Sequence, residues 1–207
     1  VAQGLDENLF DLDTTFNTEP FFVGKKKFKD KFDFDREVTV REIIVRSSNV
    51  GSARIALKLG KESQKKILKK LGLLDPVPFE LKEAKMTTPL NPPDWKPLTL
   101  ATVSFGHSIS VSLLHLARAY SILTNGGFDV EPTIVRKNED QYVRKRILKR
   151  ETSQKILELL EAVVSDERGT GRSANSAYYG IGGKTGTADK PSKKNRGYLE
   201  ERVISNF

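Results

Sequence analysis

Residues 40–59 read VREIIVRSSNVGSARIALKL, and the pattern of this stretch decides how the fold is interpreted. Apolar residues recur at helical spacing from position 40 to 44, and the polar break Ser47-Ser48-Asn49 then interrupts them. The following segment, 50–59, is apolar nearly all round, so we expect a buried helix there. The stretch therefore predicts two helices joined by a short polar turn.

The composition is typical of one globular domain without thiol chemistry. A chain of 207 residues with 37% hydrophobic content can bury one sizeable core. Because there is no cysteine, disulfides, thiolate metal sites and thiol nucleophiles are excluded. The net charge of +8 comes from basic runs scattered over different segments, so we interpret them as solvated faces and predict no nucleic-acid partner. No apolar run approaches the roughly 20 residues of a membrane span.

The rest of the chain is predicted to be mostly helical, with extended pieces at its two ends. Residues 1–37 read as irregular structure with short extended segments that wrap the domain. The remaining predicted elements are a lysine-rich helix over 61–71 closed by Gly72, a proline-rich loop over 75–97, helices over 98–104, 111–123 and 151–164, a strand over 178–188, a polar loop over 189–199 and the start of a second strand at 202–207.

Three short motifs follow one another along the chain. They are Ser47-Ser48-Asn49, Ser104-Phe105-Gly106 and Lys184-Thr185-Gly186, the last continued by Thr187-Ala188. Each motif alone is a weak signal, but together and in this order they resemble class B penicillin-binding proteins of the cell-division (septal) type. The resemblance covers nearly the whole chain.

The resemblance implies an α/β (α+β) β-lactamase/transpeptidase-like fold, in which an antiparallel sheet with helices on both sides borders a helical subdomain. Residues 1–207 would be a partial transpeptidase domain that holds the helical subdomain and an incomplete antiparallel sheet of about two strands at 178–207. By the same resemblance, we expect the nucleophile segment before Val1 and the last strand with its closing helix after Phe207.

The resemblance also implies a D,D-transpeptidase that cross-links peptidoglycan stem peptides through an acyl-serine and is inhibited by β-lactams. Its partners would be stem peptides ending in D-Ala-D-Ala, β-lactam antibiotics and divisome membrane proteins, with no cofactor and no metal. The parent protein would lie on the periplasmic side of the bacterial inner membrane, held by an N-terminal anchor. Two alternatives stay open: a serine β-lactamase or D,D-carboxypeptidase of the same superfamily, and a non-catalytic penicillin-binding sensor or scaffold.

By the resemblance, Ser47 would relay a proton to the departing amine, because a hydroxyl can give and accept a proton without holding charge. The amide of Asn49 would hold the substrate and neighbouring side chains. A structural alternative exists for Asn49, since asparagine is a strong N-cap and a helix is predicted from Val50.

Lys184 would supply positive potential to a substrate carboxylate and bias the proton relay. Thr185, Gly186 and Thr187 would bind the substrate or a β-lactam, Gly186 by admitting its backbone and Thr187 through its hydroxyl and N–H. Strict alternation along a strand puts Lys184 and Gly186 on one face and the two threonines on the other, so all four serve one site only if the ligand docks along the strand's edge. The alternative is an ordinary strand end.

The family's nucleophile motif, Ser-x-x-Lys, does not occur before Ser47. One copy occurs later, at Ser63-Gln64-Lys65-Lys66, where Ser63 and Lys66 would be neighbours on a helix. Its position after the Ser-x-Asn motif argues against it as the nucleophile. We therefore expect this chain by itself to be inactive and not to be labelled by a β-lactam.

Overall fold

The computed structural model describes residues 1–86, 88–136, 138, 145–191 and 198–207. Its helices are α1 (Ala2–Asp6), α2 (Val40–Val45), α3 (Asn49–Lys70), α4 (Pro97–Val103), α5 (Leu113–Thr124) and α6 (Arg150–Ser165), with short 3₁₀ helices at Lys82–Met86 and Arg172–Ala174. Its strands are β1 (Thr15–Asn17), β2 (Phe21–Val23), β3 (Lys26–Phe28), β4 (Glu37–Thr39), β5 (Gly186–Pro191) and β6 (Tyr198–Asn206). Within these ranges, no helix is long and apolar enough to cross a membrane.

The two predicted helices and the short turn between them are present as α2 and α3, and each helix has an N-terminal cap. Thr39 and Glu42 form a reciprocal capping box at α2. At α3 the cap is Ser48, whose Oγ accepts a hydrogen bond from the Gly51 N–H at 2.9 Å. The interpretation of Asn49 as the N-cap is therefore wrong, because Asn49 is the first residue of the helix.

Helix α3 combines the two helices predicted over 50–59 and 61–71. It bends at Gly60, whose φ of 80° lies in the left-handed region that glycine adopts without a steric penalty. The helix ends at Lys70 with Leu71 as its C-cap, and Gly72 follows at φ 72°, as its sequence position predicts.

Three apolar clusters hold the helices together. The largest joins α1, α2, α3 and α6 through side chains such as Leu5, Ile43, Ile55 and Leu159, all nearly inaccessible to solvent. A second joins α3 and α4 to the β2–β3 hairpin, and a third surrounds Ile122 of α5. Burial of these side chains, each worth about 1.5–3 kcal/mol, fixes α2 against α6 and so places the turn after α2.

Three two-stranded antiparallel sheets, β1–β4, β2–β3 and β5–β6, complete the described fold. Strands β1, β2 and β3 confirm the short extended pieces predicted within residues 1–37, whereas β4 begins at the end of that range and continues to Thr39. The strand predicted over 178–188 is wrong at its start, since β5 begins only at Gly186 and the preceding residues, including the exposed Tyr178 and Tyr179, form bends and irregular chain.

The boundaries predicted after position 188 are also wrong. Strand β5 continues to Pro191, and β6 begins at Tyr198 rather than at 202. Pairing between the two strands, for example Asp189 with Val203, outweighs the polar composition that suggested a loop. The middle of the predicted polar loop, 192–197, lies outside the described residues.

Candidate active site

One open cleft of about 760 Å³ contains all six residues that the sequence predicted for the site. They come from two distant segments: Ser47 and Asn49 at the α2–α3 turn, and 184–187 at the start of β5. Ser104 and Phe105 of the second motif line the same cleft. The cleft therefore brings residues of all three motifs together, while their catalytic and binding roles stay predictions.

The closest link between the two segments is a hydrogen bond between Lys184 and Ser47. The Lys184 Nζ donates to the Ser47 Oγ at 2.8 Å, although the two residues are 137 positions apart. Ser47 has φ 61°, a left-handed conformation that is uncommon for a residue with a side chain. This backbone conformation brings the hydroxyl within reach of the ammonium.

Lys184 is an unusual lysine because burial opposes its charge. Desolvation lowers the pKa of its ammonium to about 8. Its Nζ also donates to the Thr185 carbonyl at 3.2 Å and to the Thr185 hydroxyl at 3.3 Å, but within the described residues it has no carboxylate partner. Such a group attracts an anion and gives up its proton more readily than an exposed lysine.

Thr185 ties the segment before β5 to the end of α2. Its hydroxyl donates to the Thr170 Oγ1 at 2.9 Å, and the Thr170 N–H donates to the Val45 carbonyl at 3.2 Å. The alternation expected for Lys184 and Thr185 is wrong, because both precede the first residue of β5 and both line the cleft.

Gly186 has a close neighbour within the protein itself. A Cβ at this position would lie 2.1 Å from the Asn206 side-chain oxygen, so a larger residue here would displace the end of that exposed side chain. The role of Gly186 in admitting a substrate backbone stays a prediction.

Asp30 holds the α2–α3 turn, and sequence reasoning did not single it out. Its Oδ2 accepts from the Ser48 Oγ at 2.6 Å, while its Oδ1 accepts from the backbone N–H groups of Asn49 at 2.6 Å and Val50 at 3.1 Å. One carboxylate thus satisfies the cap residue and two free N–H groups at the start of α3. No local pattern could reveal it, because Asp30 lies 18 positions before Ser48.

The alternative nucleophile motif at Ser63 lies away from this cleft. Ser63 is on α3 and does not line the cleft, and the Lys66 ammonium forms an ion pair with Glu7 at 2.8 Å. Across the described ranges, no group of three or more histidine, aspartate or glutamate side chains is arranged to hold a metal ion.

A family model described as the penicillin-binding protein transpeptidase domain matches residues 1–207. The chain belongs to this family. It is 35% identical, over its full length, to a probable peptidoglycan D,D-transpeptidase FtsI of Caulobacter vibrioides, and 31% identical to a probable peptidoglycan D,D-transpeptidase PenA of Neisseria meningitidis serogroup A. The chain spans about a third of the length of these relatives, 35% in both cases.

Solved structures from the same family share the fold. The transpeptidase (TP) domain of Burkholderia pseudomallei penicillin-binding protein 3 superposes with a TM-score of 0.83 at 29% identity, covering 99% of this chain and 61% of that one. A protein of Burkholderia ambifaria titled a peptidoglycan glycosyltransferase superposes with a TM-score of 0.84 at 28% identity, covering 91% of this chain and 60% of that one. The predicted β-lactamase/transpeptidase-like fold is confirmed.

Proposed function

We propose that this chain is part of a serine D,D-transpeptidase domain that cross-links peptidoglycan stem peptides and is inhibited by β-lactams. The observation that carries the proposal is the hydrogen bond from the Lys184 Nζ to the Ser47 Oγ in the shared cleft. The names of the two bacterial relatives support the same reaction class.

In this proposal, a serine of a Ser-x-x-Lys segment, expected before Val1, attacks the carbonyl of the D-Ala-D-Ala bond while its hydroxyl proton passes to the lysine of the same motif. The bond between that carbonyl and the amine of the terminal D-alanine breaks, and the amine needs a proton to leave. Ser47 gives its hydroxyl proton to the amine and takes one from Lys184, and the lowered pKa of Lys184, about 8, favours this transfer. An amine of a second strand then takes the acyl group.

The proposed binding mode uses the free edge of β5. Among the described strands, β5 pairs only with β6, so its other edge can accept a peptide along its length. The ammonium of Lys184 and the hydroxyls of Thr185 and Thr187 would meet the terminal carboxylate, and the Thr187 N–H would contribute to the oxyanion hole. The amide of Asn49, in the Ser-x-Asn motif at the α2–α3 turn, would also hold the substrate.

The finer expectations belong to the parent protein and extend the same proposal. They are a role in septal cell-wall synthesis, divisome membrane partners, an N-terminal membrane anchor and a position on the periplasmic side of the inner membrane. They rest on the resemblance of the motifs to class B penicillin-binding proteins of the cell-division type. The relative named a probable peptidoglycan D,D-transpeptidase FtsI supports the cell-wall part of the proposal.

The test uses the complete transpeptidase domain, including the expected Ser-x-x-Lys segment. The domain is given a D-Ala-D-Ala peptide with an amine acceptor and, separately, a labelled penicillin, and products are followed by mass spectrometry. We expect a cross-linked peptide and a long-lived penicilloyl adduct. Rapid β-lactam hydrolysis would point to a β-lactamase, peptide hydrolysis without transfer to a carboxypeptidase, and an adduct without peptide turnover to a sensor.

A further inference from the structure

The described lining of the cleft is cationic and contains no acidic side chain. Its charged members are Lys31, Arg46 and Lys184. None of the three forms an ion pair with a carboxylate of the described residues. The proposed transpeptidase reaction uses only Lys184, so the other two positive charges have no assigned ligand.

Arg46 is held in place by contacts that leave much of its guanidinium available. The group stacks over the Phe34 ring at 4.1 Å from its centroid, and one Nη donates to the Asp33 carbonyl at 2.7 Å. An arginine carries five N–H donors in a planar fork that suits a carboxylate. Arg46 also directly precedes Ser47, so this fork lies at the motif where a substrate would react.

Lys31 and Phe32 extend the same edge of the cleft. Both are exposed, with Phe32 at 59% of its maximal accessibility, and the Lys31 Nζ lies 5.7 Å from the Phe32 ring. The preceding residue, Asp30, fixes the position of Lys31 and Phe32, because its carboxylate accepts hydrogen bonds from Ser48 and Asn49 at the start of α3. The exposed Phe32 ring lies beside Lys31, and the next residue, Asp33, contacts Arg46 through its carbonyl. Rings and cations in such close succession suit a ligand with both an anionic and an apolar part.

We propose that Lys31 and Arg46, with the rings of Phe32 and Phe34, form a subsite for a second carboxylate of the peptide substrate. This carboxylate is distinct from the terminal one assigned to Lys184, and the proposal rests on the transpeptidase function above. The ligand class is a D-Ala-D-Ala peptide with a further free carboxylate, or an amine acceptor with one. The cations bind the carboxylate, and the rings contact the neighbouring methylene groups.

The test compares matched substrates in the complete domain. One pair of acyl-donor peptides differs only in a free carboxylate or its carboxamide upstream of D-Ala-D-Ala, and one pair of amine acceptors differs in the same way. The variants are Lys31→Gln and Arg46→Gln. The control is Lys27→Gln, because Lys27 is exposed on β3 beside Phe22 and does not line the cleft.

We expect the wild-type domain to prefer the carboxylate form in one of the two substrate pairs. If the donor pair shows the preference, the donor occupies the subsite; if the acceptor pair shows it, the acceptor does. For that form, KM should rise about 3-fold in Lys31→Gln and about 10-fold in Arg46→Gln with kcat retained. The carboxamide form and the Lys27→Gln variant should show no change. The preference should also weaken with salt, as expected of partly exposed charges.

Equal KM changes for the carboxylate and carboxamide forms, or no preference in the wild type, would overturn the subsite. If Arg46→Gln lowers kcat for every substrate, the substitution acts by disturbing the structure around the neighbouring Ser47. The Lys31→Gln variant, at an exposed position, then decides whether the subsite exists. Equilibrium binding of the same peptides, measured by calorimetry, tests the subsite even if no peptide turnover is found. The subsite and the transpeptidase function can therefore fail separately.

Discussion

Asp30 connects three hydrogen-bond donors of the α2–α3 turn with a single carboxylate. The turn needs this support because Ser47 has a positive φ, which costs an L-residue roughly 1 kcal/mol or more. If Ser47 relays a proton, the rate of this proton transfer depends on the position of the Ser47 hydroxyl, which Asp30 helps to fix.

We expect Asp30→Asn to slow acylation of the complete domain by a labelled penicillin about 10-fold, because an amide offers one acceptor oxygen where the carboxylate has two. Stopped-flow or gel-based labelling measures the rate at a temperature where the variant is folded by circular dichroism. Asp33→Asn is the control, since Asp33 is exposed and accepts a hydrogen bond from Arg46 through its backbone carbonyl, which the substitution keeps. An unchanged rate in Asp30→Asn would show that the turn holds its geometry without the carboxylate.

At this scale, the sequence predicted the residues that occur in motifs and missed the one that does not. Ser47, Asn49 and Lys184 were found because their motifs recur in a family, and the structure brings them into one cleft. Their catalytic roles stay predictions. Asp30 belongs to no motif, and its contact with α3 exists only after the chain folds.

The pair formed by α2 and α3 is the element that presents the Ser-x-Asn turn. Gly51, in the first turn of α3, lies against the fully buried Ile43 of α2, and a Cβ at position 51 would come within 2.5 Å of the Ile43 side chain. A glycine is therefore required where the two helices approach each other. This contact allows α2 and α3 to pack closely on the two sides of the turn.

We expect Gly51→Ala to lower the free energy of unfolding by about 1–3 kcal/mol, because overpacking in a buried contact outweighs the gain in helix propensity. Urea unfolding of the complete domain measures the change. Gly180→Ala is the matched control, since a Cβ there has no atom within 4 Å. Equal urea midpoints for the two variants would mean that α2 moves away from α3 without a loss of stability.

The helices could be predicted because local periodicity in the sequence determines them. The limits of the strands could not, because pairing between strands determines them. The helices α2, α3 and α6 carry continuous apolar patterns, so their ends were predicted to within a few residues. The limits of β5 and β6 depend on each other through their register, which composition does not encode.

On the scale of the whole molecule, the cleft depends on contacts between a segment in the first quarter of the chain and one in its last fifth. The hydrogen bond between Thr170 and Val45 and the pair Lys184–Ser47 connect the segment before β5 to the α2–α3 turn. A two-stranded ribbon such as β5–β6 is marginal alone, so these contacts contribute to fixing its position. The arrangement was inferred from motif order, but the hydrogen bonds that create it could not be predicted.

The most direct test of the proposed acyl-transfer site is the rate at which benzylpenicillin acylates the Ser47→Ala variant of the complete domain. If Ser47 relays the proton to the departing amine, its loss should reduce the second-order acylation rate constant by at least about 100-fold. Lys184→Ala should produce a loss of similar size, because the two side chains act through one hydrogen bond. A Ser47→Ala domain that is folded and acylated within about threefold of the wild-type rate would contradict the proton-transfer role, since such transfer contributes about 100-fold or more.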